Sequence, residues 1–399
     1  MSHMRYLRRG GLLIAALALA GGAAAAVSGT AQGATQAGRA AASPAGAGKH
    51  ASAGAGKHAS MLNGIWCGGG QCVAVGSWYK DPPSAHSLAE RWTGTSWQRQ
   101  AAPDGPTDSF LTGVSCAPVR HPATAAVDCL AVGNPVLARS GGSWRLVAKT
   151  SSLDAASCAG ADACVAVGAT PTGAHPVFAT WNGKTLRSGR LHATPHAAQS
   201  VTIGGISCPA ADDCIAVGDY SYGVGAKPGP GARDKTLAEA WNGTSWRVLP
   251  TVNVSDWNEL SAVSCASPDN CTAVGSSENQ FAWAEHWNGT NWRAESVPAF
   301  SKPATLGYLQ LTGVSCPSAK TCVAVGSYNG AVPVAATWNG SRWRLTRLPV
   351  AGGGMAALHA VACASAASCV AVGTGPAANA FAEVYAHGAW KQSTPKNPA

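Results

Sequence analysis

From residue 61 onward the chain is written in short apolar runs separated by turn residues, and these runs recur as a unit. The clearest copy reads LTGVSC (311–316), PSAKT, CVAVG (322–326), a loop, and VAATWNGSRWRLTRLP (334–349). Each copy predicts four short strands. LTGVSC is the first, CVAVG the second, a stretch such as LAEAW the third, and WRVLP the fourth. CVAVG lacks polar alternation, which is the pattern of a strand buried on both faces. The third and fourth strands are joined through Asn-Gly at Asn242-Gly243, Asn288-Gly289 and Asn339-Gly340, a strong hairpin signal because both residue types tolerate positive φ.

The cysteines set the period. The chain has 14, none in a CxxC pair. They fall into seven couples, Cys67/Cys72, Cys116/Cys129, Cys158/Cys164, Cys208/Cys214, Cys265/Cys271, Cys316/Cys322 and Cys363/Cys369, and successive second cysteines lie 57, 35, 50, 57, 51 and 47 residues apart. Each second cysteine opens C-x-A-V-G. Such spacing predicts local disulfides across the first hairpin, each stabilising by about 2 kcal/mol through loop closure. A redox-active pair would need a lowered thiol pKa and closer spacing. A four-stranded meander of about 50 residues, covered on both faces by its neighbours, is a propeller blade. The predicted fold is therefore an all-β, seven-bladed β-propeller with one disulfide per blade, spanning 61–392. An open solenoid or a pair of sandwiches is the alternative. The second and third copies are irregular, one with twelve residues between its cysteines and the other with TLRSGRL (185–191) replacing the last Trp motif.

What precedes the repeats has a different character. Arg5, Arg8 and Arg9 stand before the apolar run Leu12 to Ala20, the order of a secretory signal peptide, assigned to 1–32. A Sec-type signal is favoured over the twin-arginine reading of Arg8-Arg9, because the cysteines must oxidise outside the cell. Residues 33–60 are Ala, Gly and Ser with the octet AGAGKHAS written twice, a leader too poor in apolar side chains to fold. Residues 393–399 are a C-terminal tail. No later stretch is long and apolar enough to span a bilayer. Six of the 28 basic residues precede residue 60, leaving 22 against 19 acidic residues, so the net charge of +9 makes no case for nucleic acid.

In an up-and-down blade the first and third connections open on one face of the disc, and the second connection and inter-blade links on the other. The first and third are tight here. Length variation gathers on the opposite face, at 77–88, 219–236 and links such as 98–109, 187–200 and 296–308, where recognition is expected. Trp78, Tyr79, Tyr220, Tyr222, Trp257, Tyr308 and Tyr328 fall there and are the candidate binding residues, suited to a sugar or a peptide. The repeated tryptophans, Trp92, Trp181, Trp241, Trp287 and Trp338 ending third strands and Trp97, Trp144, Trp246, Trp292, Trp343 and Trp390 beginning fourth strands, are read as wedge packing between blades.

Catalytic and metal motifs are missing from the sequence: it holds no P-loop, GxGxxG, GxSxG or HExxH. His192 and His196 are spaced HxxxH in a link, which without a helix carries little weight. Asp212-Asp213 suits a turn. Glu90, Glu239, Glu285 and Glu383 share one repeat position, far from the axis where propeller glycosidases place their acids, and are read as surface or inter-blade hydrogen-bonding groups. No cofactor, metal or catalytic residue is assigned.

The repeat SC-x5-C-xAVG with WNGTSW resembles that of secreted proteins from high-GC bacteria and is more distantly similar to kelch and sialidase-type propellers. The kelch double glycine and the arginine cluster and Asp-box of sialidases are absent, so the resemblance implies architecture and no activity. The expectation is a secreted, monomeric, non-catalytic propeller that binds an extracellular glycan or protein through its variable-loop face. An extracellular carbohydrate hydrolase or lyase, and a structural envelope component, are the alternatives.

Overall fold

The computed structural model describes residues 59–397 except 81–83, 118–127, 171–174, 192–197, 199, 223–232, 278–280 and 301–306, with backbone alone for Tyr222 and Arg233. The signal peptide, almost all of the leader, and His192 and His196 lie outside the described residues.

Each repeat folds as one four-stranded antiparallel sheet with its strands in sequential order, and there are seven such sheets. The first strands (Ser60–Gly68, Phe110–Cys116, Ala155–Gly160, Ser200–Ala210, Asn258–Ser267, Leu309–Ser318 and Ala357–Ser365) pack side by side around the ring, the last against the first. The fold is a seven-bladed propeller in which no blade is shared between the two ends of the repeat array. Non-covalent contacts close the ring between blades 7 and 1. Ser60 Oγ donates to Asn397 Oδ1 at 2.6 Å, and the Ala380 N–H reaches Ser60 Oγ at 2.9 Å and Asn397 Oδ1 at 3.1 Å. Trp97 Nε1 donates to Ser393 Oγ at 3.0 Å.

The core lies between blades. Seven hydrophobic clusters each draw on two consecutive blades, and each is built from the alternate faces of CVAVG-type strands and their partners. This is why the second strands show no polar alternation.

All seven predicted disulfides are present: Cys67–Cys72, Cys116–Cys129, Cys158–Cys164, Cys208–Cys214, Cys265–Cys271, Cys316–Cys322 and Cys363–Cys369. Their Cα–Cα separations lie between 3.9 and 4.1 Å. The bridges are not exposed staples at a turn. Cys72, Cys129, Cys164, Cys214, Cys271, Cys322 and Cys369, the second members of the pairs, are all buried. Each opens a second strand that neighbouring blades cover on both faces, so its sulfur is part of the apolar filling as well as a covalent tie. No free cysteine is left.

The outer tryptophans face each other across the third hairpin, with centroids 5.4 Å apart for Trp92–Trp97 and 5.3 Å for Trp241–Trp246 and Tyr385–Trp390. Some of the outer indole N–H groups bridge blades: Trp144 Nε1 donates to Gln100 Oε1 at 3.1 Å and Trp343 Nε1 to Glu295 Oε2 at 3.0 Å, whereas those of Trp246 and Trp292 are buried without a partner.

Two local readings need correction. The Asn-Gly connection is not a two-residue turn with both residues at positive φ. Four residues separate the tryptophans, and only the glycine is left-handed (Gly243 φ 88°, Gly289 and Gly340 φ 90°). The asparagine instead caps the loop with its side chain: Asn242 Oδ1 accepts the N–H groups of Thr244 at 3.0 Å and Ser245 at 2.8 Å. The second correction concerns the glutamates, which are not at the surface. Glu90, Glu239, Glu285 and Glu383 are among the most completely buried side chains of the molecule. The inter-blade part of the expectation holds for two of them. Glu285 Oε2 accepts the Val252 N–H at 3.3 Å and Glu90 Oε2 the Lys396 N–H at 2.9 Å, both from chain leaving the preceding blade.

Candidate functional site

The hexad that forms each first strand, L-x-G/A-V-S-C or a relative, contains a β-bulge in six of the seven blades, and the bulged residue is its second. A bulge turns the neighbouring carbonyl toward the C-x-A-V-G glycine of the second strand. A Cβ on Gly275 would overlap Glu259 O, and one on Gly326 would overlap Gln310 O. The requirement there is steric. The bulged residues and Asp154, their counterpart in blade 3, run Asn63, Thr112, Asp154, Gly204, Ser261, Thr312 and His359, and Asn63, Thr312 and His359 stitch neighbouring blades together. Asn63 Nδ2 donates to Leu111 O at 2.9 Å, Thr312 Oγ1 to Leu358 O at 2.8 Å, and His359 Nδ1 lies 3.2 Å from both Leu62 O and Asn63 Oδ1. Burial lowers the His359 pKa against the pull of the Leu62 carbonyl. Burial also raises Asp154, to about 6, opposed by the Ala169 N–H.

One step further toward the variable-loop face, the ring becomes asymmetric. Glu259, second residue of the first strand of blade 5, pairs in register with Ser276. Ser276 Oγ donates to Glu259 Oε1 at 2.6 Å and Gln310 Nε2 of blade 6 donates to the same oxygen at 2.9 Å. Ser276 Oγ also lies 3.0 Å from Tyr308 OH. From blade 4, Asp219 and Asp234 face this group. Asp219 keeps some exposed surface although protein atoms crowd its carboxyl. Burial pushes that carboxyl well above the usual range, and the charges of Glu259 and Asp234 push it further. Burial likewise raises Glu259, against the hydrogen bonds from Ser276 and Gln310. Asp234 is raised by burial, against the hydrogen bond from the Trp257 side chain. Lys235 donates its ammonium to Ser255 O at 3.0 Å. The sector thus presents three carboxyl groups, two hydroxyls and an amide beside two aromatic rings, and it belongs to blades 4–6.

The candidate aromatics divide. Trp257 and Tyr308 belong to this acidic sector. Tyr220 follows Asp219, but strand alternation turns its ring back onto the cluster between blades 3 and 4. Tyr328 packs edge-on to Phe300 with centroids 5.8 Å apart, in the cluster between blades 5 and 6. Trp78 and Tyr79 are on blade 1. Trp78 stacks on His86 at 4.7 Å and carries the Arg99 guanidinium 4.8 Å from its ring centre, while His86 meets Asp104 at 2.8 Å. Tyr79 lies against Phe110, and burial with the Asp108 charge raises its phenol. The Tyr222 side chain lies outside the described residues. Trp78, Tyr220 and Tyr328 occupy one equivalent position, opposite Ser60, Val201 and Leu309, but within strands that run past the glycine and not in loops. Sequence reading passed over Asp219, Asp234 and Glu259. Among the described residues no group of three or more His, Cys, Asp or Glu side chains is arranged to hold a metal ion, and no helix is long and apolar enough to cross a membrane.

No protein-family model and no curated protein matches the chain. Solved structures do resemble it in fold. A GH74 xyloglucanase from Xanthomonas campestris aligns with a TM-score of 0.51 at 14% identity over 86% of this chain and 54% of that one. A fucose-specific lectin from Aleuria aurantia aligns at 0.50 and 9% identity, covering 86% and 97%. YCF48 from Cyanidioschyzon merolae aligns at 0.50 and 13% identity, covering 82% and 95%. At these identities the likeness is one of architecture: the chain is a β-propeller.

Proposed function

We propose that this chain is a secreted, non-catalytic propeller that binds an extracellular glycan through the acidic sector of blades 4–6. The observation that carries the reading is the grouping of the part-exposed Asp219, Asp234, Trp257 and Tyr308 around the buried Glu259 where blades 4, 5 and 6 meet. Carboxyl oxygens accept hydrogen bonds from sugar hydroxyls, and aromatic rings cover the apolar faces of pyranosides. The sector opens on the face that carries the length variation between repeats. Seven disulfides suit an oxidising compartment. Another β-propeller, of six blades, is a fucose-specific lectin.

A hydrolase is the second reading, favoured by one observation. Burial and the charges of Glu259 and Asp234 raise the Asp219 carboxyl well above its usual range, and glycoside cleavage uses a carboxyl of raised pKa beside a second one. Glycan-array binding of the wild type, Glu259→Gln and Trp257→Ala, with reducing-end release assayed on every bound glycan, tests both. Glycan binding weakened about tenfold or more by each substitution, with no release, is expected for loss of a charged hydrogen-bond acceptor or a stacking ring. Release abolished by Asp219→Asn would replace the binding reading with the hydrolase. Unchanged binding in both variants, or binding only to proteins, would overturn it.

A further inference from the structure

The outermost strands of the blades carry one sign of charge. They are Trp97–Gln100, Ser143–Ala148, Leu186–Arg190, Trp246–Leu249, Trp292–Ser296, Trp343–Arg347 and Ala389–Ser393, and together they hold nine Arg or Lys and one acid, Glu295. Glu295 is engaged by Trp343 Nε1. The cations are also in register. Arg145, Arg187, Arg247, Arg293, Arg344 and Lys391 occupy the same rung of six blades, and all six are exposed. In blade 1 the rung is Arg91 opposite Gln98, so the cation stands on the third strand instead. Six of the seven blades therefore place an exposed positive charge at one height on the circumference of the disc, and blade 1 places a half-buried one a strand further in.

Exposed edge strands are often blunted by charge, lysine above all, to prevent pairing with other chains. That role does not call for arginine, yet eight of these nine cations are arginine, whose planar fork matches phosphate and carboxylate. Nor does the nine-to-one bias follow from the composition, since the repeats are nearly neutral. A second feature marks the same rim. Pro298, Ala299 and Phe300, leaving blade 5, and Arg342, Arg344 and Leu345 of blade 6 line a shallow cavity of about 380 Å³. Arg347 lies over the Phe300 ring at 4.3 Å, so this cavity combines an apolar floor with guanidinium groups.

We infer that the outer rim of the propeller binds a flexible linear polyanion of phosphate or carboxylate repeat units without nucleobases, which follows the circumference and meets the exposed cations of successive blades. A rigid flat surface could touch only one or two blades of a convex edge, whereas a flexible polymer can reach several. This site is separate from the acidic sector and does not depend on the glycan reading.

The experiment measures binding of the full chain to immobilised polyphosphate, polygalacturonate, a single-stranded oligonucleotide and neutral dextran. It compares the wild type, Glu259→Gln and the triple variant Arg247→Gln/Arg293→Gln/Arg344→Gln. A matching set is run with Thr337→Gln and Gln98→Ala, which leave the cations in place, and thermal melting checks folding of each protein. The wild type is expected to bind polyphosphate or polygalacturonate and not dextran, and to lose about tenfold or more in affinity between about 50 and about 200 mM salt. The triple variant is expected to bind at least about tenfold more weakly with a shallower salt dependence, and Glu259→Gln to bind as wild type. Of the first two polymers, polyphosphate alone would assign phosphate, and polygalacturonate alone carboxylate. Failure to bind either at low salt, an unaltered triple variant that is folded, or a stronger preference for the oligonucleotide would overturn the inference.

Discussion

Ser264 of blade 5 accepts the backbone N–H of Cys316 of blade 6 through its hydroxyl at 2.9 Å. The same bond runs from Cys158 to Ser115, Cys208 to Ser157, Cys265 to Ser207 and Cys363 to Ser315, at 2.9 to 3.0 Å. The serine of the S-C pair is thus a clasp to the next blade, while the cysteine ties its own hairpin. Trp66 and Ala362 stand at that position in blades 1 and 7, so the clasp is missing on both sides of blade 1.

Replacing Ser264 by alanine leaves the Cys316 N–H unpaired between blades. A loss of about 1–2 kcal/mol is expected, read as a lower denaturation midpoint with an unchanged denaturant slope. In hydrogen exchange, the Cys316 amide should lose protection in this variant while Cys363, clasped by Ser315, keeps it.

The blade 7–blade 1 seam relies on Asn397, whose Oδ1 receives both Ser60 Oγ and the Ala380 N–H. Asn397→Ala should cost about 1–3 kcal/mol by leaving the buried Ser60 hydroxyl without an acceptor, while the Ala380 N–H keeps its bond to Ser60 Oγ. Hydrogen exchange of the first strands should show blade 1 opening ahead of blades 4 and 5 in that variant.

Stability should fall as pH rises through the neutral range. Burial raises Glu285 to about 8 and Glu383 to about 7, and raises Glu90 to about 6 against the Lys396 N–H. The folded state therefore holds protons that the unfolded chain has released. Their contribution is fully present below the ordinary carboxyl pKa of 4.5 and is lost as pH climbs through the raised values, up to about 8. Each unit of separation corresponds to about 1.4 kcal/mol. The melting temperature should be higher at mildly acidic than at mildly alkaline pH, and Glu285→Gln should flatten that slope. A profile unchanged by the substitution would contradict it.

Gly275→Ala should be far more damaging than an alanine at an ordinary strand glycine, because its Cβ would overlap the Glu259 carbonyl and neither backbone can yield. A loss of at least about 3 kcal/mol is expected, and Glu259 would be displaced with it, so ligand binding at the acidic sector should fail even where the protein still folds.

Removing the Cys116–Cys129 disulfide, which closes the longest loop with a sequence separation of 13, should cost more than removing Cys316–Cys322, with a separation of 6. The chain-entropy model gives about 3 and about 2 kcal/mol respectively. Paired Cys→Ala variants compared by melting temperature check the order.

The architecture was legible because its causes are periodic: a cysteine couple, an overlap-forced glycine and a tryptophan pair recur in nearly every unit. The mechanism of the Asn242 turn was not, since Asn-Gly spells both a two-residue turn and a side-chain-capped loop, and only the four-residue spacing to Trp246 separates them. The ring of Asn63, Thr112, Asp154, Gly204, Ser261, Thr312 and His359 went unread, although it is the one hexad position that is polar or glycine in every copy. The acidic sector, by contrast, was hidden. Asp219, Asp234 and Glu259 sit at different repeat positions on two blades, so no period links them, and they meet only because a bulge and a strand extension bring their ends to one mouth.

Because every blade is drawn from one uninterrupted stretch of chain, and Ser60 touches Asn397 across the seam, the order in which the blades are synthesised is not written into the ring. A circular permutant that joins these two residues through a short linker and begins at a connection between other blades is expected to retain all seven sheets and all seven disulfides. The molecule is a closed necklace in which no one bead has to be first.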